Sequence, residues 1–136
     1  MANQIFVNLP VADLDASKAF FEAIGYTINP QFTDENASCV VMSDTIYLMI
    51  LTHDFYKTFT TKQIADARTT SEVQNAIGVD SREAVDAILE KALAAGATEP
   101  KPAQDYGFMY SRGFEDLDGH HWDYLWMDPV TVQPQE

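Results

Sequence analysis

The residues able to do chemistry gather towards the C-terminal end of this sequence. His121 and Asp123 stand two apart in the apolar run from His120 to Met127. Alternate residues of an extended strand share a face, so this pair lies side by side. A histidine steered by a carboxylate is an oriented general base. The same pair also suits cross-strand stabilisation with a rim hydrogen bond, and both readings stay open. Tyr110 and Arg112 share a face of the preceding extended run, Gly107 to Phe114. Tyr110 joins His121 and Asp123 as a candidate acid or base. Arg112 is a candidate anchor for a ligand carboxylate, with an ion pair to Asp123 or Glu115 as the alternative. His120 falls on the other face with Trp122, Tyr124 and Trp126, where core or dimer packing is expected. The sequence holds no nucleophile elbow, no Gly-rich phosphate loop and no paired zinc cysteines.

These residues need strands to hold them, and the strands recur in a pattern. Ile5 to Val11 alternates, with Ile5, Val7, Leu9 and Val11 on one face and Phe6, Asn8 and Pro10 on the other. A helix follows. Asp13 or Asp15 can cap it, Leu14, Phe20, Phe21 and Ile24 form its apolar stripe, and Gly25 ends it. Three extended segments come next: Tyr26 to Phe32, broken by Pro30; Ser38 to Met42; and Thr45 to Thr52, after a turn at Ser43-Asp44. The second half repeats the order. Glu72 to Val79 reads as a strand. Asp80 and Glu83 have capping-box spacing before a helix carrying Val85, Ile88, Leu89, Ala92 and Leu93, which Gly96 stops. Pro100 and Pro102 break the next segment, and a hairpin turns at Asp116-Leu117-Asp118-Gly119. The order strand, capped helix, broken strand, two-stranded hairpin thus occurs twice. The expected fold is α+β: two βαβββ modules, about 4–52 and 72–128, within one domain spanning 1–136. Loop 53–71 joins them as a lid, a dimer arm or a simple cover, with a short helix expected near Thr61 to Arg68.

At 136 residues and 46% hydrophobic, the chain has the size and composition of one globular domain. The start, Met1-Ala2-Asn3-Gln4, has no basic n-region, so no signal peptide is expected. No apolar stretch reaches the ~18 residues of a membrane span. The lone Cys39 sits in an apolar run and is expected as a buried, inert thiol, which fits a cytoplasmic setting. A net charge of −13 repels nucleic acid and anionic lipid, so neither is expected as a partner. The acidity serves solubility or a cationic ligand.

Val11-Ala12-Asp13-Leu14, the helix with Phe20-Phe21, and Ile24-Gly25-Tyr26 resemble the opening of vicinal oxygen chelate domains. The ending from Phe114 through Asp116-Leu117-Asp118-Gly119 to Asp123 is similar to that family's last hairpin. The resemblance covers nearly the whole chain. It implies the glyoxalase/bleomycin-resistance fold, a curved mixed sheet around a cavity, and is nearest a bacterial branch labelled predicted lactoylglutathione lyase. It also implies a homodimer, to which the Phe114, Tyr124 and Trp126 region would add apolar surface. Metal-dependent members place one ligand on each of four strands. Carried onto this sequence, those positions fall on Phe6, Met49, Gln74 and Asp123. Only Asp123 is a good ligand for a metal such as nickel or zinc, so no metal or other cofactor is expected.

The alternation also turns Phe6, Asn8, Met49, Gln74 and Asp123 away from the helix-facing residues and towards a cavity. Those residues, with Arg112, suit a small organic ligand. The expected function is small-molecule binding in a concave cavity without the metal quartet. The alternative is a lyase or isomerase related to lactoylglutathione lyase, working through Asp123, His121 and Tyr110.

Overall fold

The computed structural model describes residues 3–131. The chain divides into two compact units at Asp66/Ala67. Both have the same internal plan, and each is taken by itself below.

In the first unit β1 (Ile5–Val11) leads into α1 (Leu14–Ala23). The Asp13 carboxylate caps α1 by accepting from the Ala16 amide at 3.1 Å, which satisfies one of the donors a helix start leaves over. Gly25, at φ +115°, ends the turn in a conformation that favours glycine. Next come β2 (Thr27–Asn29), a 3-10 turn over Pro30–Phe32, β3 (Ala37–Val41) and β4 (Ile46–Thr52). The sheet order is β1-β4-β3-β2, with β1 parallel to β4 and the other pairs antiparallel. Register places Val7 opposite Leu48 and Leu9 opposite Ile50. Leu9, Val11, Leu48, Ile50 and Val40 are buried together with Phe20, Phe21 and Ile24. Burying each such side chain contributes roughly 1.5–3 kcal/mol, and the Phe20–Phe21 edge contact at 5.1 Å adds shape to the core. Cys39 is buried, and that burial pushes its thiol pKa up.

The second unit repeats the arrangement with β5 (Gln74–Gly78), α3 (Arg82–Ala94), β6 (Gln104–Asp105), β7 (Met109–Glu115) and β8 (His121–Met127). Its order is β5-β8-β7-β6, again with one parallel pair, β5 with β8. Helix α3 packs on β7 and β8. Val85, Leu89 and Ala92 meet a floor of Phe114, Trp122 and Tyr124, all buried. The Phe114 and Tyr124 rings stack at 5.8 Å. Tyr124 thus takes the core place that was one of the two expected of it, and neither ring adds to the exposed apolar surface of a dimer. The Asp116 carboxylate organises the hairpin turn. It accepts from the Asp118 and His120 amides and from the Trp122 indole, each at 3.0 Å. Desolvation raises its pKa, against the opposing pull of His120 and those donors.

Two local expectations need correction. The cap of α3 is Ser81, whose hydroxyl accepts from the Ala84 amide at 3.0 Å. The helix starts one residue later than the Asp80–Glu83 spacing suggested, which leaves Glu83 free for the first turn. In the connecting loop the helical residues are α2 (His53–Tyr56) and a 3-10 turn over Lys57–Phe59, not Thr61 to Arg68. The Thr52 hydroxyl starts α2 by accepting from the Phe55 amide at 3.2 Å. No helix among the described residues is long and apolar enough to cross a membrane. Met1, Ala2 and residues 132–136, the ends of the expected 1–136 domain, lie outside the described residues.

Candidate functional site

Each sheet has one face under its helix and one face turned away from it. In the first unit Phe6, Asn8 and Met49 lie on the face turned away from α1: Phe6 is opposite Tyr47, and Asn8 is opposite Met49. The Phe6 and Tyr47 rings stack at 4.7 Å and 11°, and Phe6 is 50% exposed.

In the second unit the corresponding face carries Gln74 and Ala76 of β5, His121, Asp123 and Leu125 of β8, and Ser111 and Gly113 of β7. A concavity of about 210 Å³ opens there. Its floor is His121, Asp123, Gly113, Ser111 and Ala76. Leu125 and Met109 add apolar wall, and the Pro100-Lys101-Pro102 segment with Gln104 forms one side. Gln74 lies opposite His121 in the ladder but outside this lining. A larger hollow of about 350 Å³ lies by Ala12, Thr52, His53 and Asp54. Among the described residues these four wall it, too few to enclose a ligand.

His121 and Asp123 meet as their spacing predicts, Nε2 to Oδ1 at 2.8 Å. The imidazole is 13% exposed and the carboxylate 33%. The pair is therefore shielded yet reachable from the concavity. Among the described residues no cluster of three His, Cys, Asp or Glu side chains suited to a metal ion forms.

Tyr110 and Arg112 do not join them. The turn places Glu115 opposite His121, so odd residues of β7 oppose odd residues of β8. Tyr110 and Arg112 fall opposite Trp126 and Tyr124, on the α3 side. Although Arg112 borders the concavity through its place in β7, its guanidinium is engaged elsewhere. It forks onto Glu99 with two 2.9 Å bonds and reaches Asp86 at 3.0 Å and Glu90 at 3.2 Å. These partners replace the expected Asp123 or Glu115. Glu99 above all raises the Arg112 pKa further, so the group stays charged. The Tyr110 hydroxyl donates to Asp86 at 2.6 Å. That bond lowers the Asp86 pKa and raises that of Tyr110, a structural arrangement and not a proton shuttle beside His121. The face of each strand was readable from alternation alone. The match of faces across the turn was not, because it depends on the number of residues in the turn.

Gly113, Ser111 and the Pro100-Lys101-Pro102 segment were missed as parts of the site. A usable signal existed for Gly113, since an isolated glycine inside a strand often marks a close approach.

Two four-stranded mixed sheets, each with a helix on one face, match the fold of the glyoxalase/bleomycin-resistance/dioxygenase structures. Residues 4–43 match the family described as Bleomycin resistance protein-like N-terminal. Hypothetical protein SA1046 from S. aureus is 28% identical, with 92% of this chain and 94% of that chain covered and a TM-score of 0.75. A glyoxalase/bleomycin resistance protein/dioxygenase family enzyme from Burkholderia phytofirmans PsJN is 22% identical, with 93% and 99% covered and a TM-score of 0.76. The fosfomycin resistance protein FosX from Listeria monocytogenes is 19% identical, with 93% of each chain covered and a TM-score of 0.66. No curated protein matches the sequence.

Proposed function

We propose that this chain binds a small organic molecule in the concavity of its second unit, without the four-ligand metal site of metal-dependent glyoxalase relatives. The observation that carries this reading is the concavity itself: a partly apolar hollow of about 210 Å³ with the shielded His121–Asp123 pair at its floor. Apolar walls with a few placed polar groups are what small-ligand sites share. The residues at the family's ligand positions do not suit a metal. Phe6 has no donor atom, the Met49 thioether is soft, and Gln74 is neutral. Asp123 already accepts from His121. A thermal-shift screen of small cations, acids and aromatics tests the binding, and elemental analysis after exposure to nickel, zinc, cobalt and manganese tests the metal. One tightly held ion per chain, lost in Asp123→Ala, overturns the metal-free reading.

A second reading is a lyase or isomerase using His121 and Asp123 as acid and base, favoured by their 2.8 Å contact. The opening and the last hairpin resemble the branch labelled predicted lactoylglutathione lyase. Even so, glyoxalase I turnover should stay near background with or without nickel or zinc. That reaction must hold an enediolate's charge while a proton moves between carbons. Arg112 is turned to Glu99, Asp86 and Glu90, and Lys101 at the concavity's side is a single exposed charge that cannot chelate two oxygens. S-lactoylglutathione formation at ordinary enzyme rates of about 1–10³ s⁻¹ sinks this expectation. A cytoplasmic homodimer completes the proposal. Exposed Ile5 and Phe6 in one unit, and Tyr106, Phe108 and Met127 in the other, support a partner copy. Sedimentation showing a stable monomer at micromolar concentration refutes it.

A further inference from the structure

We propose that Gly113 is a positioning residue: its missing side chain leaves the space in which Asp123 lies against His121, and that contact fixes His121 as the Nε2–H tautomer. The inference deepens the ligand-site reading and rests on it only for its use. The geometry stands without it.

Gly113 is opposite Asp123 in the β7–β8 ladder, on the face that carries the concavity. A Cβ built there would overlap Asp123 Oδ1, and would stand 3.3 Å from both His121 Nε2 and the Trp122 carbonyl oxygen. The backbone gives no reason for a glycine. Gly113 is not among the residues with positive φ, which are Gly25, Gly96, Gly107 and Gly119. Any L-residue can adopt its conformation, and glycine weakens a strand by entropy and by packing nothing. What requires it is the space above its Cα, filled by the carboxylate of Asp123 bonded to the imidazole.

The bond decides the histidine's chemistry. A carboxylate accepts and does not donate, so the ring nitrogen facing it carries the proton. Nε2 therefore donates to Asp123 Oδ1, and Nδ1 is left as the acceptor of a residue that lines the concavity. The ligand class this suits has a hydrogen-bond donor, a hydroxyl or an ammonium. An added methyl at 113 pushes the carboxylate aside, frees the ring to rotate and removes that fixed acceptor.

The test needs no ligand. In ¹⁵N-labelled protein the His121 Nε2–H should give a slowly exchanging proton resonance, absent in Asp123→Ala. Gly113→Ala should lose it as well, although residue 113 supplies no atom to the bond. Melting temperatures close a double-mutant cycle. Gly113→Ala should lower the melting temperature in the parent and have little effect in Asp123→Ala, where the overlapping oxygen is gone. A resonance retained in Gly113→Ala overturns the proposal. An equal fall in both backgrounds does too, because the crowding would then be against the Trp122 carbonyl. If Gly113→Ala alone does not fold, folding of the double variant supports the proposal, and its failure overturns it. A negative ligand screen leaves these outcomes unchanged, so the two readings fail separately.

Discussion

Three carboxylates converge on one guanidinium at Arg112, whose side chain is 12% exposed. Its removal leaves Glu99, 20% exposed, facing Asp86 and Glu90 with no cation between them. Breaking a buried pair costs about 3–5 kcal/mol. Asp86 and Glu90 are half exposed or more, and water screens such groups, so Arg112→Ala should cost about 1–3 kcal/mol in urea denaturation. An unchanged midpoint would show that the network contributes nothing net. Gly119 gives a second case. At φ +86°, its added Cβ would meet Arg68 Cγ and N at 2.9 Å. Gly119→Ala should destabilise by about 1–3 kcal/mol, read in the same assay. These two residues differ in how far the sequence reveals them. Gly119 sits in an Asp-Gly turn whose chemistry is local and therefore readable. The partners of Arg112 lie 13 to 26 positions away, and no local rule connects them. The His121–Asp123 contact was readable for the same reason as Gly119, since strand period alone places two residues side by side.

Elements behaved as residues did: local signals located them, and distant pairing set their faces. Ile5–Val11 alternates in sequence and forms β1 over that span, and two helices end at Gly25 and Gly96. Strand β6, by contrast, shrinks to Gln104–Asp105 after two prolines. A clamp from α3 holds its end. Arg82 forks onto Asp105 at 2.8 and 2.9 Å, donates to the Gly107 carbonyl at 3.0 Å, and lies over the Tyr110 and Trp126 rings at 5.1 and 5.2 Å. The Arg82 bonds pull the Asp105 pKa down to about 2, below the ordinary value of about 3.9. A carboxyl depressed on folding adds stability above its unfolded pKa, and that addition is lost as pH falls through the folded value. The window for Asp105 is therefore about pH 4 down to about 2. Asp86, lowered first by the Tyr110 hydrogen bond, acts with the same sign. Denaturation midpoints should fall across this window in the parent and fall less in Asp105→Asn. Parallel curves for the two proteins would show that the clamp is not coupled to folding.

At the scale of the whole chain, one plan occurs twice, and among the described residues only the second copy pairs a histidine with a carboxylate on the face turned from its helix. The chain as a whole carries a net charge of −13. Such a charge raises the local concentration of cations and lowers that of anions, and salt screens the effect with a Debye length of about 10 Å at 0.1 M. The floor adds a carboxylate at Asp123, while Arg112 is held by acidic partners on the other side of the sheet. Pocket and long-range field therefore favour the same sign of ligand. Lys101 on the concavity's side is the counter-argument, since its ammonium favours an anionic group. It is exposed, so solvent screens it. Among small aromatics of matched size, cationic members should raise the melting temperature more than neutral or anionic ones. Their advantage should shrink as salt rises. Asp123→Asn should weaken their binding more than His121→Gln, because the carboxylate supplies the charge and the imidazole a neutral hydrogen bond. Titration calorimetry of one cation and its neutral isostere, at low and high salt, decides this. Equal affinities at low salt, or tighter binding of the anion, would mean that Lys101 governs selection and that the acidity serves solubility alone.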